Sequence, residues 1–114
     1  MPELTSTFAV VLCTTPSEDV SAQLARGLVE AELAACVNIV PAVRSIYRWQ
    51  GATQDDAESL MVIKTQAARF DALAEWIRKH HPYSEPEIIL LPIHAGSPSY
   101  LAWIASLTGG ANGT

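Results

Sequence analysis

Two imidazoles, a phenol and two carboxylates crowd around two prolines in His80-His81-Pro82-Tyr83-Ser84-Glu85-Pro86-Glu87-Ile88. Imidazoles at such a place suit metal coordination or acid–base work. The prolines make the segment a shaped loop, because neither continues a helix and each pushes the preceding residue towards extended geometry. A plainer reading stands beside this one. Arg78-Lys79-His80-His81 is also a basic helix end, which complements the negative end of a helix dipole.

The thiol of Cys13 is the other group of interest. It lies in the most apolar run of the chain, where a lone cysteine is ordinarily an inert buried thiol. It gains meaning only if the fold carries it close to His80 and His81. One thiolate with one or two imidazoles is an incomplete nitrogen–sulfur site. Such donors suit Cu(I), Cu(II) or Zn(II) rather than Mg or Ca. A closed zinc site would need a fourth ligand, for which Glu87 and His94 are the candidates.

The remaining constellations carry less. Glu85 and Glu87 form an acid–base pair only on paper, since nothing near them reads as a nucleophile. Asp55, Asp56 and Glu58 read as a solvated turn. Neither cysteine belongs to a CxxC, and no phosphate-cradling glycine loop or Ser-His-Asp spacing occurs. The residues thus point away from an enzyme.

The chain has 114 residues, 49% hydrophobic and 17% charged, with a net charge of −5. That length suits one domain, expected at 1–108, able to bury roughly two-thirds of its unfolded surface without staples. The acidic balance is a poor match for nucleic acid, which needs clustered Lys and Arg. The N-terminal segment lacks a basic start, and the apolar run after it is too short for a signal or a membrane span. The expectation is a cytoplasmic protein with reduced thiols.

These groups must be positioned by the elements around them. Phe8 to Cys13 is a short β-branched run, a strand buried on both faces. Ser17 caps a helix whose stripe is Val20, Leu24, Leu28 and Ala31, and Gly27 either weakens it slightly or lets a neighbour come close. Cys36 to Val40 begins a second strand, Pro41 bends it, and alternation continues to Trp49. Gln50 to Asp56 reads as a polar turn before a strand over Glu58 to Thr65, giving an unusually long hairpin. Phe70, Leu73 and Ile77 stripe a helix over Ala67 to His80; Ile88 to Ile93 is a fourth strand. Ser97-Pro98 opens a final helix, and 109–114 is a flexible tail.

The order β-α-β-β-α-β is the ferredoxin-like plan, an α+β fold with both helices on one face of a four-stranded antiparallel sheet. The extended second-to-third-strand hairpin and the C-terminal helix exceed that plan. A bare projecting hairpin bearing Tyr47 and Trp49 would be an aggregation hazard, so it is expected to pair with neighbouring subunits in a closed ring.

Taken together, the segments VVLCTTP, AACVNIVPAVRSIYRWQG, ESLMVIKT, HPYSEPEIILLPI and YLAWI resemble the CutA family of divalent-cation tolerance proteins. They cover nearly the whole chain in order. The resemblance implies a homotrimer joined by inter-subunit strand pairing. It also implies binding of copper, Cu(II), or of zinc or another divalent cation. Carried over residue by residue, the metal ligands are Cys13, His80 and His81. Ser84 stands where an acidic residue is common, and Ala52 where a lysine or polar residue often follows W-x-G.

The resemblance thus implies a non-enzymatic metal-binding protein of metal tolerance. A second reading is a ligand-sensing regulator, because the same trimeric plan is similar to that of the PII signalling proteins. Its inter-subunit clefts, lined by His81, Tyr83, Glu85 and Trp49, would hold a small metabolite or anion. An acylphosphatase-type hydrolase is disfavoured, since no arginine sits in a glycine-rich loop after the first strand.

Overall fold

The computed structural model describes residues 7–109. Its elements run β1 (Phe8–Thr15), α1 (Glu18–Glu30), β2 (Cys36–Trp49), β3 (Ala52–Gln66), α2 (Phe70–His80), β4 (Ile89–Pro92) and α3 (Pro98–Leu107). A single 3₁₀ turn, Ala67–Arg69, leads into α2. The α+β ferredoxin-like order expected above is therefore present. Beyond Gly109, the expected tail lies outside the described residues.

The sheet order is β2-β3-β1-β4, every neighbour antiparallel. Period-two alternation then divides β1 cleanly. Ala9, Val11, Cys13 and Thr15 are buried, opposite Thr65, Ile63, Met61 and Ser59 of β3. Leu24 and Leu28 of α1 and Leu73 and Ile77 of α2 close over this face. The other face carries Val10, Leu12, Leu60 and Val62, all half-buried. Its outer residues Val40, Ile89 and Leu91 are exposed. A sheet face this apolar is unusual against water.

The helix starts follow from their caps. The hydroxyl of Ser17 accepts from Val20 N–H, with Glu18 and Asp19 in the first turn of α1. Ser97 does the same for Tyr100 N–H, with Pro98 opening α3. Gly27 faces α2 so closely that a Cβ there would lie 2.5 Å from two indole carbons of Trp76.

The hairpin departs from expectation in one respect. The polar turn expected over Gln50 to Asp56 is only Gln50-Gly51, both at positive φ (52° and 81°). That pairing of left-handed residues makes a two-residue turn matched to strand twist, so pairing resumes at Trp49 and Ala52. The register shift expected near Pro41 lies between Val40 and Val43.

A buried hydroxyl chain anchors the base of the hairpin. Thr15 Oγ1 and Ser21 Oγ are 2.7 Å apart, and Ser21 Oγ and Ser59 Oγ 2.9 Å. Ser59 donates to Val40 O, the last residue before the bulge, at 3.3 Å. Removing the middle member takes one bond from each outer hydroxyl, leaving Thr15 only Ser17 O and Ser59 only Val40 O. Ser21→Ala is expected to cost about 2 kcal/mol in urea unfolding; an unchanged midpoint would mean the chain holds nothing together.

Candidate functional site

The fold places His80 and His81 at the C-terminal end of α2, and the two imidazoles differ in kind. His81 is 7% exposed. Its Nε2 lies 2.8 Å from Thr14 O, and Tyr83 N–H donates to its Nδ1 at 3.0 Å. A carbonyl can only accept, so Nε2 carries the proton and both ring nitrogens are occupied. His81 thereby ties the proline-rich loop to the end of β1. The turn it stabilises starts at Pro82, as the sequence reading expected.

His80 is exposed. Its ring stacks on Trp76 with centroids 4.0 Å apart and 22° between planes. Its Nδ1 donates to Trp76 O at 2.7 Å. That bond leaves the Nε2 lone pair free. A carbonyl orienting the far nitrogen is the usual setting of a metal-binding histidine.

Cys13 is fully buried on the helix-covered face of β1. Burial, and after it the charges of Glu87 and Glu58, push its thiol up to about 12 from 9.0. It is therefore a thiol, not a thiolate, at neutral pH. Among the described residues, no three His, Cys, Asp or Glu side chains stand together as a metal group. The donor chemistry of Cys13, His80 and His81 suits copper or zinc, and within one chain the three do not stand together as one metal group. His94, the other candidate ligand, is exposed.

The raised thiol carries a pH prediction. In the unfolded chain Cys13 ionises near 9, whereas the fold holds its proton to about 12. Its contribution to stability is complete below pH 9 and declines as pH rises towards 12, by about 1.4 kcal/mol per unit. Tyr83, held above the ordinary phenol range by desolvation and by its bond to Glu58, adds loss of the same sign at higher pH. Urea midpoints between pH 8 and 10 should therefore fall less in Cys13→Ala than in the parent chain. Equal slopes would contradict the buried thiol.

Beside the loop, an open cleft of about 610 Å³ separates it from the hairpin arm. Ser45, Tyr47, Trp49 and Glu58 line the arm side; Thr14, Tyr83, Glu85 and Glu87 line the other. His81 is not among the lining residues of this cleft, which lies within one chain, whereas the clefts expected to hold His81 lie between subunits. Nor do Asp55, Asp56 and Glu58 form a solvated turn. Strand alternation sends Asp55 to a bidentate pair with Arg44 at 2.8 and 2.9 Å. Asp56 accepts from Tyr47 Oη at 2.6 Å, and Glu58 from Tyr83 Oη at 2.8 Å. The i, i+2 spacing of Asp56 and Glu58 was the signal available for this.

Comparison with known proteins bears on the same segments. The model of a family described as CutA1 divalent ion tolerance protein matches residues 9–107. The divalent-cation tolerance protein CutA of Thermus thermophilus is 51% identical over 100 residues, 88% of this chain and 97% of its own length. The Escherichia coli protein of that description is 38% identical over 99 residues, 87% of this chain and 88% of its own. A Thermus thermophilus divalent cation tolerance protein superposes with a TM-score of 0.87 at 50% identity, covering 90% of this chain and 99% of the other. A periplasmic divalent cation tolerance protein from Archaeoglobus fulgidus gives 0.86 at 31% identity, covering 89% and 98%.

Proposed function

Since the chain belongs to the CutA1 divalent ion tolerance family, we propose that it acts as a non-enzymatic homotrimer binding a divalent cation, Cu(II) or alternatively Zn(II). The match over residues 9–107 carries this reading. The trimer is supported by the apolar sheet face of Val40, Ile89 and Leu91 and by the arm bearing Ile46 (65% exposed) and Trp49 (52%). Both need covering, and strand pairing between subunits covers both. A cytoplasmic setting belongs to the same proposal, supported by two unpaired cysteines. Among the described residues, no helix is long and apolar enough to cross a membrane.

The proposed ligands are Cys13, His80 and His81. His80 offers a free Nε2. Cys13 must release its proton, and His81 must exchange one of its two hydrogen bonds. Metal binding of this kind releases protons and strengthens with pH. Calorimetric titration of Cu(II) and Zn(II) into protein shown to be trimeric by sedimentation tests it. Saturable binding that tightens from pH 6 to 8 is expected. No binding at either pH, or a monomer, would contradict it.

A second reading, a ligand-responsive regulator, is favoured by one observation: the cleft of about 610 Å³ beside Trp49 and Tyr83. Small-molecule sites commonly have this size.

A further inference from the structure

We infer that Trp76 is a positioning residue for His80, and that Gly27 gives its indole the room to be one. The inference rests on the metal reading above and adds to it the residues that aim its exposed imidazole.

His80 stands exposed at the end of α2. Side chains so placed ordinarily change rotamer within nanoseconds. Among the described residues, both contacts that order this ring come from Trp76, one turn earlier. The Trp76 carbonyl accepts from Nδ1 at 2.7 Å, and the indole stacks on the imidazole at 4.0 Å and 22°. The bond keeps the proton on Nδ1, whereas a free histidine side chain favours the tautomer with the proton on Nε2. The stack sets the plane of the ring and hence the direction of the Nε2 lone pair. Neither contact uses Nε2 itself.

The indole is held in turn. Trp76 is half-buried and packs against the core of Leu24, Leu28, Leu73 and Ile77. Its Cη2 and Cζ2 stand 2.5 Å from where a Cβ of Gly27 would be, a space that any side chain at that position would fill. α1 thus bears on His80 through the indole. Both helices cover the sheet face opposite Val40, Ile89 and Leu91, so the stack is not on the face assigned to the trimer.

A donor already held in place loses less freedom when it binds. Ordering one such side chain in advance is worth about fivefold in affinity.

Nitrogen-15 NMR of the metal-free trimer reads the tautomer and the mobility of the His80 ring. The parent should show the Nδ1–H tautomer in an ordered ring. Trp76→Leu should show mixed tautomers in a mobile one. Trp76→Phe keeps an aromatic face and should stay close to the parent, and Gly27→Ala, which displaces the indole, should move towards Trp76→Leu. Cu(II) titrated calorimetrically should bind about fivefold more weakly to Trp76→Leu than to the parent. In a His80→Ala background the same substitution should make no further difference. Circular dichroism and sedimentation show that each variant keeps its fold and assembly; Trp76→Met replaces Trp76→Leu if that variant does not. An unchanged tautomer and mobility in Trp76→Leu overturn the positioning role and leave the metal reading standing. Equal loss of Cu(II) affinity with and without His80 makes Trp76 a packing residue only, and also overturns it. A parent that binds no Cu(II) overturns the metal reading, while the NMR arm still decides whether Trp76 holds the ring.

Discussion

Replacing His81 by alanine is expected to destabilise the protein by about 3 kcal/mol. The imidazole is almost fully buried, and both its nitrogens are bonded, one to Thr14 O and one to Tyr83 N–H. Alanine leaves the Tyr83 amide without its partner and Thr14 O with only the weak Cys13 thiol, and opens a void the size of the ring. Two further variants divide the effect. Asparagine offers an acceptor near the position of Nδ1, so His81→Asn should retain the Tyr83 bond and recover about 1 kcal/mol. Glutamine reaches further and can donate to Thr14 O instead. Urea unfolding followed by circular dichroism measures all three. A loss below about 1 kcal/mol in His81→Ala would mean that water replaces both bonds without penalty. His81 would then be no structural tie, and its nitrogens would be free for a ligand at little cost.

Gly27→Ala reverses the ordinary sign of a helix substitution. Within a helix, alanine is normally favoured over glycine by about 1 kcal/mol. Here the added methyl would stand 2.5 Å from Cη2 and Cζ2 of Trp76. Moving the indole away gives up its stack on His80. Overpacking of this kind costs typically 1–3 kcal/mol, so a net loss of about 2 kcal/mol is expected. Trp76→Leu removes the clashing atoms. In that background Gly27→Ala should become neutral or stabilising, and the double-mutant cycle should show a coupling of about 2 kcal/mol. Additive losses would place the strain elsewhere. The same contact links packing to the proposed metal site, since displacing the indole of Trp76 removes the ring on which His80 stacks.

Local signals made the scaffold readable. Ser17 and Ser97 cap their helices from a side chain three residues before the amide they serve. Pro41 marks the bulge, and of the two readings Gly27 allowed, a weakened helix or a close neighbour, the second holds. Each needs only neighbours in sequence or a single period. The site was less readable, because its partners are distant. His81 is bonded to a carbonyl 67 residues away and Tyr83 to a carboxylate 25 residues away. Nothing in the spacing of the proline-rich loop states that one histidine's nitrogens are both spent while its neighbour keeps one free. The three acidic residues of the hairpin read as one solvated group only if the turn runs from Gln50 to Asp56. Once Gln50-Gly51 is the whole turn, alternation alone separates Asp55 from Asp56 and Glu58. The cleft follows from that separation and was not visible as a position in the chain.

The account turns on whether a thiolate and imidazoles hold the metal. X-ray absorption at the copper edge of protein loaded with one equivalent of Cu(II) reads the bound shell directly. The account predicts a sulfur scatterer with nitrogen neighbours, the sulfur disappearing in Cys13→Ser and the nitrogen signal weakening in His80→Ala. A shell of oxygen alone, unchanged in both variants, would contradict it and would move the metal to the carboxylates of the cleft.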